Sequence, residues 1–334
     1  MNEKILPMQY PLITSWTWQA NLLSILFSHP KTLDWIFSNY ILLVCIEDQR
    51  LQNDRLAMDF VPSKFWDCPW IYMQIHDREF INRHYPNIEK YFIDSILDNY
   101  YVYGIIDENC LLNLGSKYVH ELFLFGFNKE INVFNVADFT FKNKYSFETA
   151  DINQVCKGYY NVTKEEDYML SGNGGIILLK YLDDAFYPFD RMLVKQNLQC
   201  YIHPELIYNF YRILAAPHRA AICGIDIYDA IIQNIKGSHY DVRLLHDLYD
   251  HKVMMVERVR YMIENKHVDM QVCLLNEFDE LKTIASIIRN VMLKLTVKKS
   301  NDKESQNMVI KELSRIKEKE RYLYEQLSNS IYPA

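Results

Sequence analysis

The chain has 334 residues, 49% of them hydrophobic and 14% aromatic, with only 9 glycines. That is material for one large domain or two ordinary ones with well-filled cores, and it argues against a glycine-rich nucleotide fold or a large all-β barrel. A formal net charge of −7 makes nucleic acid a poor partner.

Richness in Lys, Asn, Ile and Tyr points to an AT-rich bacterial genome. The seven cysteines, at 45, 68, 110, 156, 200, 223 and 273, contain no C-x-x-C pair and are odd in number, so neither a disulfide framework nor a zinc site is expected. Residues 1–10 lack the basic segment and apolar run of a signal peptide, and the longest apolar run, 40–46, is too short to span a bilayer. A reducing cytoplasm and no membrane contact are expected.

Residues 21–27 and 31–37 carry apolar side chains at helical spacing, with Pro30 interrupting them. Residues 41–46 are continuously apolar and fit a buried strand or helix segment. Residues 66–75 mix aromatic and polar side chains around Pro69 and suit a strand or loop. The runs 100–106, 119–127 and 132–139 are β-branched and aromatic, and read as three antiparallel strands. Asn128-Lys129-Glu130 turns the last two into a hairpin. In the middle strand Val119, Glu121, Phe123 and Phe125 point one way, and His120, Leu122, Leu124 and Gly126 the other.

Residues 151–159 read as a short helix capped by Asp151. Ser171-Gly-Asn-Gly-Gly175 lacks the spacing of a phosphate loop and reads as a turn before 176–182. After about residue 205 the stretches 205–215, 225–235, 242–264, 272–296 and 305–327 all show a 3.6-residue period, with Pro217, Gly237 and the polar run 298–304 between them. The last of these interleaves Glu312, Glu318, Glu320 and Glu325 with Lys and Arg, as a solvated face or a partner-binding or dimerising helix does. The expected fold is α+β, with an antiparallel sheet and an N-terminal helix over 1–204 and an all-helical bundle over 205–334.

Acyl-transfer chemistry of the thiol type needs a nucleophile at a helix N-terminus, a His to take its proton and an acid to orient that His. His120 and Asp138 are 18 residues apart, and the hairpin between them folds that spacing back on itself. The plainer reading makes His120 a core or edge histidine and Asp138 a strand-end cap. The helix start at 15–21 holds no Cys. Thr17, or with less claim Ser15, occupies the nucleophile position, and either also serves as an ordinary helix cap. His246 and His251 are five apart and His76 and His84 stand alone, so no metal site is expected.

Two ordered blocks carry a family resemblance. The first is the Tyr-rich segment from Tyr100 to Asn109, then Tyr118-Val-His-Glu-Leu-Phe-Leu-Phe-Gly-Phe127, Phe134-Asn-Val-Ala-Asp-Phe139 and Lys144-Tyr145. The second is Cys223-Gly-Ile-Asp-Ile-Tyr-Asp229, Asp241-Val-Arg-Leu-Leu-His246, Tyr249-Asp-His-Lys252 and Leu281 to Lys294 with Arg289-Asn290. Together they resemble the butirosin biosynthesis protein H type of papain-like acyltransferases found near nonribosomal-peptide and related natural-product genes. The resemblance implies a papain-like N-terminal half, with His120 as base, Asp138 orienting it, and a Cys expected at or beside Thr17. It implies acyl transfer from a carrier-protein thioester to an amine or peptide, the acyl group riding on phosphopantetheine, with no bound cofactor.

Three activities follow as expectations. One is amide formation, with Thr17 or Ser15 in place of the thiol or by direct aminolysis with His120 as base. A second is a pseudoenzyme that binds a carrier or peptide as a scaffold, possible as a homodimer through the C-terminal helices. The third is a peptide-maturing papain-like peptidase. Asp226, Tyr228, Asp229, Arg243 and His246 are expected to make helix-packing and polar contacts, with no part in catalysis.

Overall fold

In the computed structural model the described residues are 1–47, 56–61, 65–169, 174–204, 221–237, 241–269 and 272–332. In chain order the elements are β1 (Glu3–Ile5), α1 (Thr17–Phe27), α2 (Leu33–Ser38), β2 (Leu42–Glu47), β3 (Leu56–Val61), β4 (Ile71–His76), α3 (Arg78–His84), α4 (Ile88–Leu97) and β5 (Tyr101–Asp107). There follow α5 (Asn109–Leu112), β6 (Val119–Asn128), β7 (Val133–Asp138), β8 (Ser146–Asp151), α6 (Ile152–Tyr160), β9 (Ile176–Tyr181), α7 (Arg191–Ile202) and β10 (Ala221–Cys223). The chain then runs through α8 (Ile227–Lys236), α9 (Arg243–Glu264), α10 (Val272–Lys298) and α11 (Lys303–Ser330). The fold is α+β, and among the described residues no helix is long and apolar enough to cross a membrane.

The chain forms two compact units, 1–32 with 64–187, and 33–63 with 188–334. This differs from the expected division at 204/205. The cause is β2 and β3, which pair with each other while β2 also pairs with β10, in a separate three-stranded antiparallel sheet of the second unit. The expected all-helical half therefore contains β10. The expected helix at 205–215 lies outside the described residues.

The first unit is built on a seven-stranded antiparallel sheet in the order β4-β9-β5-β6-β7-β8, with β1 added to β6. The β5–β6 register sets Tyr103 opposite Phe123 and Ile106 opposite His120. Residues 119–124 alternate as expected, and a bulge between Leu124 and Gly126 resets the ladder with β7. Asn128 caps the hairpin turn, its Oδ1 accepting from Glu130 N at 2.9 Å. One sheet face packs Val102, Ile106, Leu122 and Leu124 against Phe92 of α4 and Val155 of α6. Asp151 caps α6 as expected, accepting from Gln154 N at 3.0 Å.

α1 is buried around nearly its whole circumference, its polar Thr17, Gln19, Asn21 and Ser24 included. Its polar Asn21 and Ser24 are met by the Tyr145 hydroxyl at 2.8 and 3.1 Å, so burial leaves neither side chain unpaired. Arg78 donates to Asp167 Oδ2 at 2.8 Å and to the carbonyls of Tyr159 and Ile105 at 2.7 and 2.8 Å. Residues 171–173 of the expected turn lie outside the described residues; Gly175, just before β9, has φ +120°, and a Cβ there would collide with the His76 carbonyl.

The second unit holds a buried polar network. His251 Nε2 donates to the Ile41 carbonyl at 2.8 Å, and its Nδ1 accepts from Lys252 Nζ at 2.9 Å. Lys252 also pairs with Glu320 Oε1, and Glu320 Oε2 accepts from Tyr201 at 3.0 Å and Tyr228 at 2.6 Å.

Candidate functional site

The site grows out of the β5–β6–β7 ladder of the first unit. His120 is the second residue of β6, and Asp138 is the last of β7. Phe123 faces Ala137, so one further step brings Asp138 to Leu122, two residues from His120 on the same face of the sheet. His120 Nδ1 lies 3.5 Å from Asp138 Oδ1. The same nitrogen lies 3.4 Å from Oε1 of Glu108, the residue after β5. On the other side of the ring, Nε2 is 3.4 Å from Glu121 Oε2. One imidazole therefore stands among three carboxylates.

Glu108 and Asp138 are fully enclosed, while the imidazole is 22% exposed and Glu121 13%. The half-exposed Tyr118 ring stacks over His120 at 5.6 Å between centroids, so the imidazole is reached past an aromatic wall. Burial acts to lower the His120 pKa, but Asp138, Glu108 and Glu121 outweigh it and raise the value to about 11. Burial, reinforced by the Asp138 charge, pushes the Glu108 carboxyl above its usual range, with His120 pulling the other way. The cluster has an excess of negative charge and holds whatever positive charge lies at Nδ1.

Each carboxylate differs in its supports. Asp138 Oδ2 accepts from Thr140 N at 2.7 Å, leaving Oδ1 turned to the imidazole. Neither Glu108 oxygen, nor Asp138 Oδ1, nor His120 Nδ1 completes a hydrogen bond of normal geometry. Among the described residues, Glu108, His120 and Asp138 are the one trio of such side chains with donor atoms all within 4.8 Å of one another.

Thr17 is the first residue of α1, and the cap position belongs to Trp16, so Thr17 is not the helix cap. Its buried hydroxyl bonds the Tyr103 hydroxyl at 2.8 Å and not His120. Burial and the Glu121 charge both raise the Tyr103 phenol, which puts Glu121 in electrostatic reach of both Tyr103 and His120. Ser15 lies two residues before the helix, half-buried. Cys110, two residues beyond Glu108, contacts Asp107 Oδ2 at 3.8 Å and Asn161 Nδ2 at 3.2 Å, and not His120.

The residues missing from the sequence reading are Glu108 and Glu121. Their signal was present as a carboxylate just past one strand and another beside the histidine in the next, but only the β5–β6 register brings them together. Of the C-terminal motif residues, Tyr228 and Asp229 join α8 to α11, Tyr228 bonding Glu320 and Asp229 pairing with Lys317 at 2.9 Å, while Arg243 pairs locally with Asp241 at 2.5 Å. The chain matches no protein-family model, and no curated protein matches it, so the functional reading rests on this site and on the sequence resemblance.

Proposed function

We propose that the first unit transfers an acyl group from a carrier-protein thioester to an amine, in the reducing cytoplasm of a bacterium. The observation that carries this reading is the meeting of His120 and Asp138 from neighbouring strands at 3.5 Å, beside a half-exposed aromatic wall. Thr17 is committed to Tyr103 and a hydroxyl is a weak nucleophile at neutral pH, so the reading favours direct aminolysis without an acyl-enzyme. We assign the positively charged His120 ring, through Nε2 on the side of the less buried Glu121, the task of polarising the acyl oxygen, in place of the base role the sequence led us to expect. The amine nitrogen bonds the acyl carbon, the C–S bond breaks, and Glu121, the least buried of the three carboxylates, takes the amine's proton.

The test is mass-spectrometric detection of amide from a panel of acyl N-acetylcysteamine thioesters and amines. His120→Asn is expected to lower the rate roughly 100- to 1,000-fold, while Thr17→Val leaves it within about threefold, since that hydroxyl takes no part in direct aminolysis. A His120→Asn rate equal to the parent's refutes the assignment. A second reading, a scaffold that binds the carrier without turnover, is favoured by the absence, among the described residues, of a thiol bonded to His120. It is supported if a phosphopantetheinylated carrier is retained in equilibrium binding and no thioester in the panel is consumed.

A further inference from the structure

We propose that Glu108, His120 and Asp138 are the three protein ligands of a divalent transition-metal ion of the zinc class. The inference names a cofactor for the site read above as an acyl-transfer centre. Its role in catalysis rests on that reading, but the binding itself does not.

The donor set is one imidazole nitrogen and two carboxylate oxygens, a mixed N/O set that suits zinc, cobalt or manganese. The spacing fits an ion better than hydrogen bonds. Nδ1 stands 3.4 Å from Glu108 Oε1 and 3.5 Å from Asp138 Oδ1. A charged N–H···O bond closes to about 2.7–2.9 Å, whereas donors bound tetrahedrally at about 2.0–2.1 Å from an ion lie roughly 3.3–3.4 Å apart.

The second observation is independent of spacing. Both Glu108 oxygens and Asp138 Oδ1 are buried and complete no hydrogen bond of normal geometry, with the His120 ring at 3.4 and 3.5 Å and the Thr140 side chain as their polar neighbours. Enclosed carboxylate oxygens left so are costly, and a cation between them removes that cost. Other enclosed carboxylates of the same unit are treated differently. Asp107 Oδ1 accepts from Tyr118 N at 3.0 Å, and Asp167 is held by Arg78 and by Gly175 N at 3.0 Å. Glu148 Oε1 of the same unit also completes no hydrogen bond, but it is met by the Lys142 ammonium, a basic side chain that the trio lacks.

The outward atom of one ligand is held while its inward atom completes no hydrogen bond, as the outer shell of a metal site requires: Asp138 Oδ2 takes the Thr140 N–H at 2.7 Å, and the Glu121 carboxylate lies in electrostatic reach of His120 Nε2. Three protein ligands leave a fourth tetrahedral position, which a water would fill.

The experiment uses the full chain, stripped with chelator and titrated with Co²⁺ and then Zn²⁺. The expected result is one ion per chain by calorimetry, visible absorption bands of tetrahedral cobalt, and a rise in melting temperature on adding Zn²⁺. His120→Asn is expected to abolish the cobalt bands. Glu108→Gln and Asp138→Asn, each checked for an unchanged circular-dichroism spectrum, are expected to weaken binding at least 100-fold, and Glu121→Gln about 10-fold through loss of the ring's orientation. No ion bound by the parent chain, or binding undiminished in the folded Glu108→Gln and Asp138→Asn proteins, overturns the proposal. Ion binding without amide formation sinks only the acyl-transfer reading, and amide formation by ion-free protein that takes up no metal sinks only this one.

Discussion

Each unit buries an imidazole beside carboxylate, and the two clusters are treated in opposite ways. Around His251 every polar atom of His251, Lys252 and Glu320 has a partner, from the Ile41 carbonyl to the Tyr201 and Tyr228 hydroxyls. Around His120 three carboxylate oxygens and Nδ1 end without one. The first network ties α7, α8, α9, α11 and the chain entering β2 into one core, so its chemistry is used up in holding the fold. The second stores unmet attraction for positive charge at a place the imidazole keeps partly open. A satisfied buried network speaks for architecture, and an unsatisfied one held in place by its neighbours speaks for a ligand.

Substitutions that test this contrast are expected to differ in size and sign. The largest effect belongs to Glu320→Gln, which leaves the Lys252 ammonium enclosed without its counter-charge. It is expected to cost about 3–5 kcal/mol in urea unfolding, and a cost below 1 kcal/mol would mean that the network does not hold the second unit together.

The pH dependence comes next. Burial, with Lys252 and Arg258 adding to it, holds the His251 pKa well below its ordinary value, so the folded imidazole is neutral while the unfolded one gains a proton below about pH 6.5. The unfolded state then binds more protons, so this contribution to stability is present above pH 6.5 and is lost as the pH falls. Between pH 7 and pH 5 the loss is about 2 kcal/mol, seen as the difference in slope between the parent chain and a His251→Gln variant. Equal slopes would place a charged His251 in the folded state.

Much of this was legible in the chain alone, where the signal is local. The strands around 100–139 carry β-branched and aromatic runs, and the long helices from 227 onward carry a sustained 3.6-residue period. The three-residue strands β1 and β10 give no such signal, because their pairing is fixed by partners far away in sequence. The His120–Asp138 pair was readable because a three-residue turn joins its strands. Glu108 and Glu121 needed the β5–β6 register, and Glu320 meets Lys252 across 68 residues through helix docking that no local pattern reports. Paired histidine and cysteine spacings likewise give no sign of the proposed set of one histidine and two carboxylates.

The smallest expected effect bears most directly on the central claim, that the carboxylates beside His120 are kept for a positively charged ligand at the expense of stability. The measurement is the unfolding free energy of Glu108→Gln in metal-free buffer, set beside that of Glu320→Gln. Removing an enclosed carboxylate whose oxygens complete no hydrogen bond is expected to leave the chain as stable as its parent or to stabilise it by about 1 kcal/mol. A loss of about 3 kcal/mol, matching that expected at Glu320, would make the His120 cluster a structural ion pair and contradict the account.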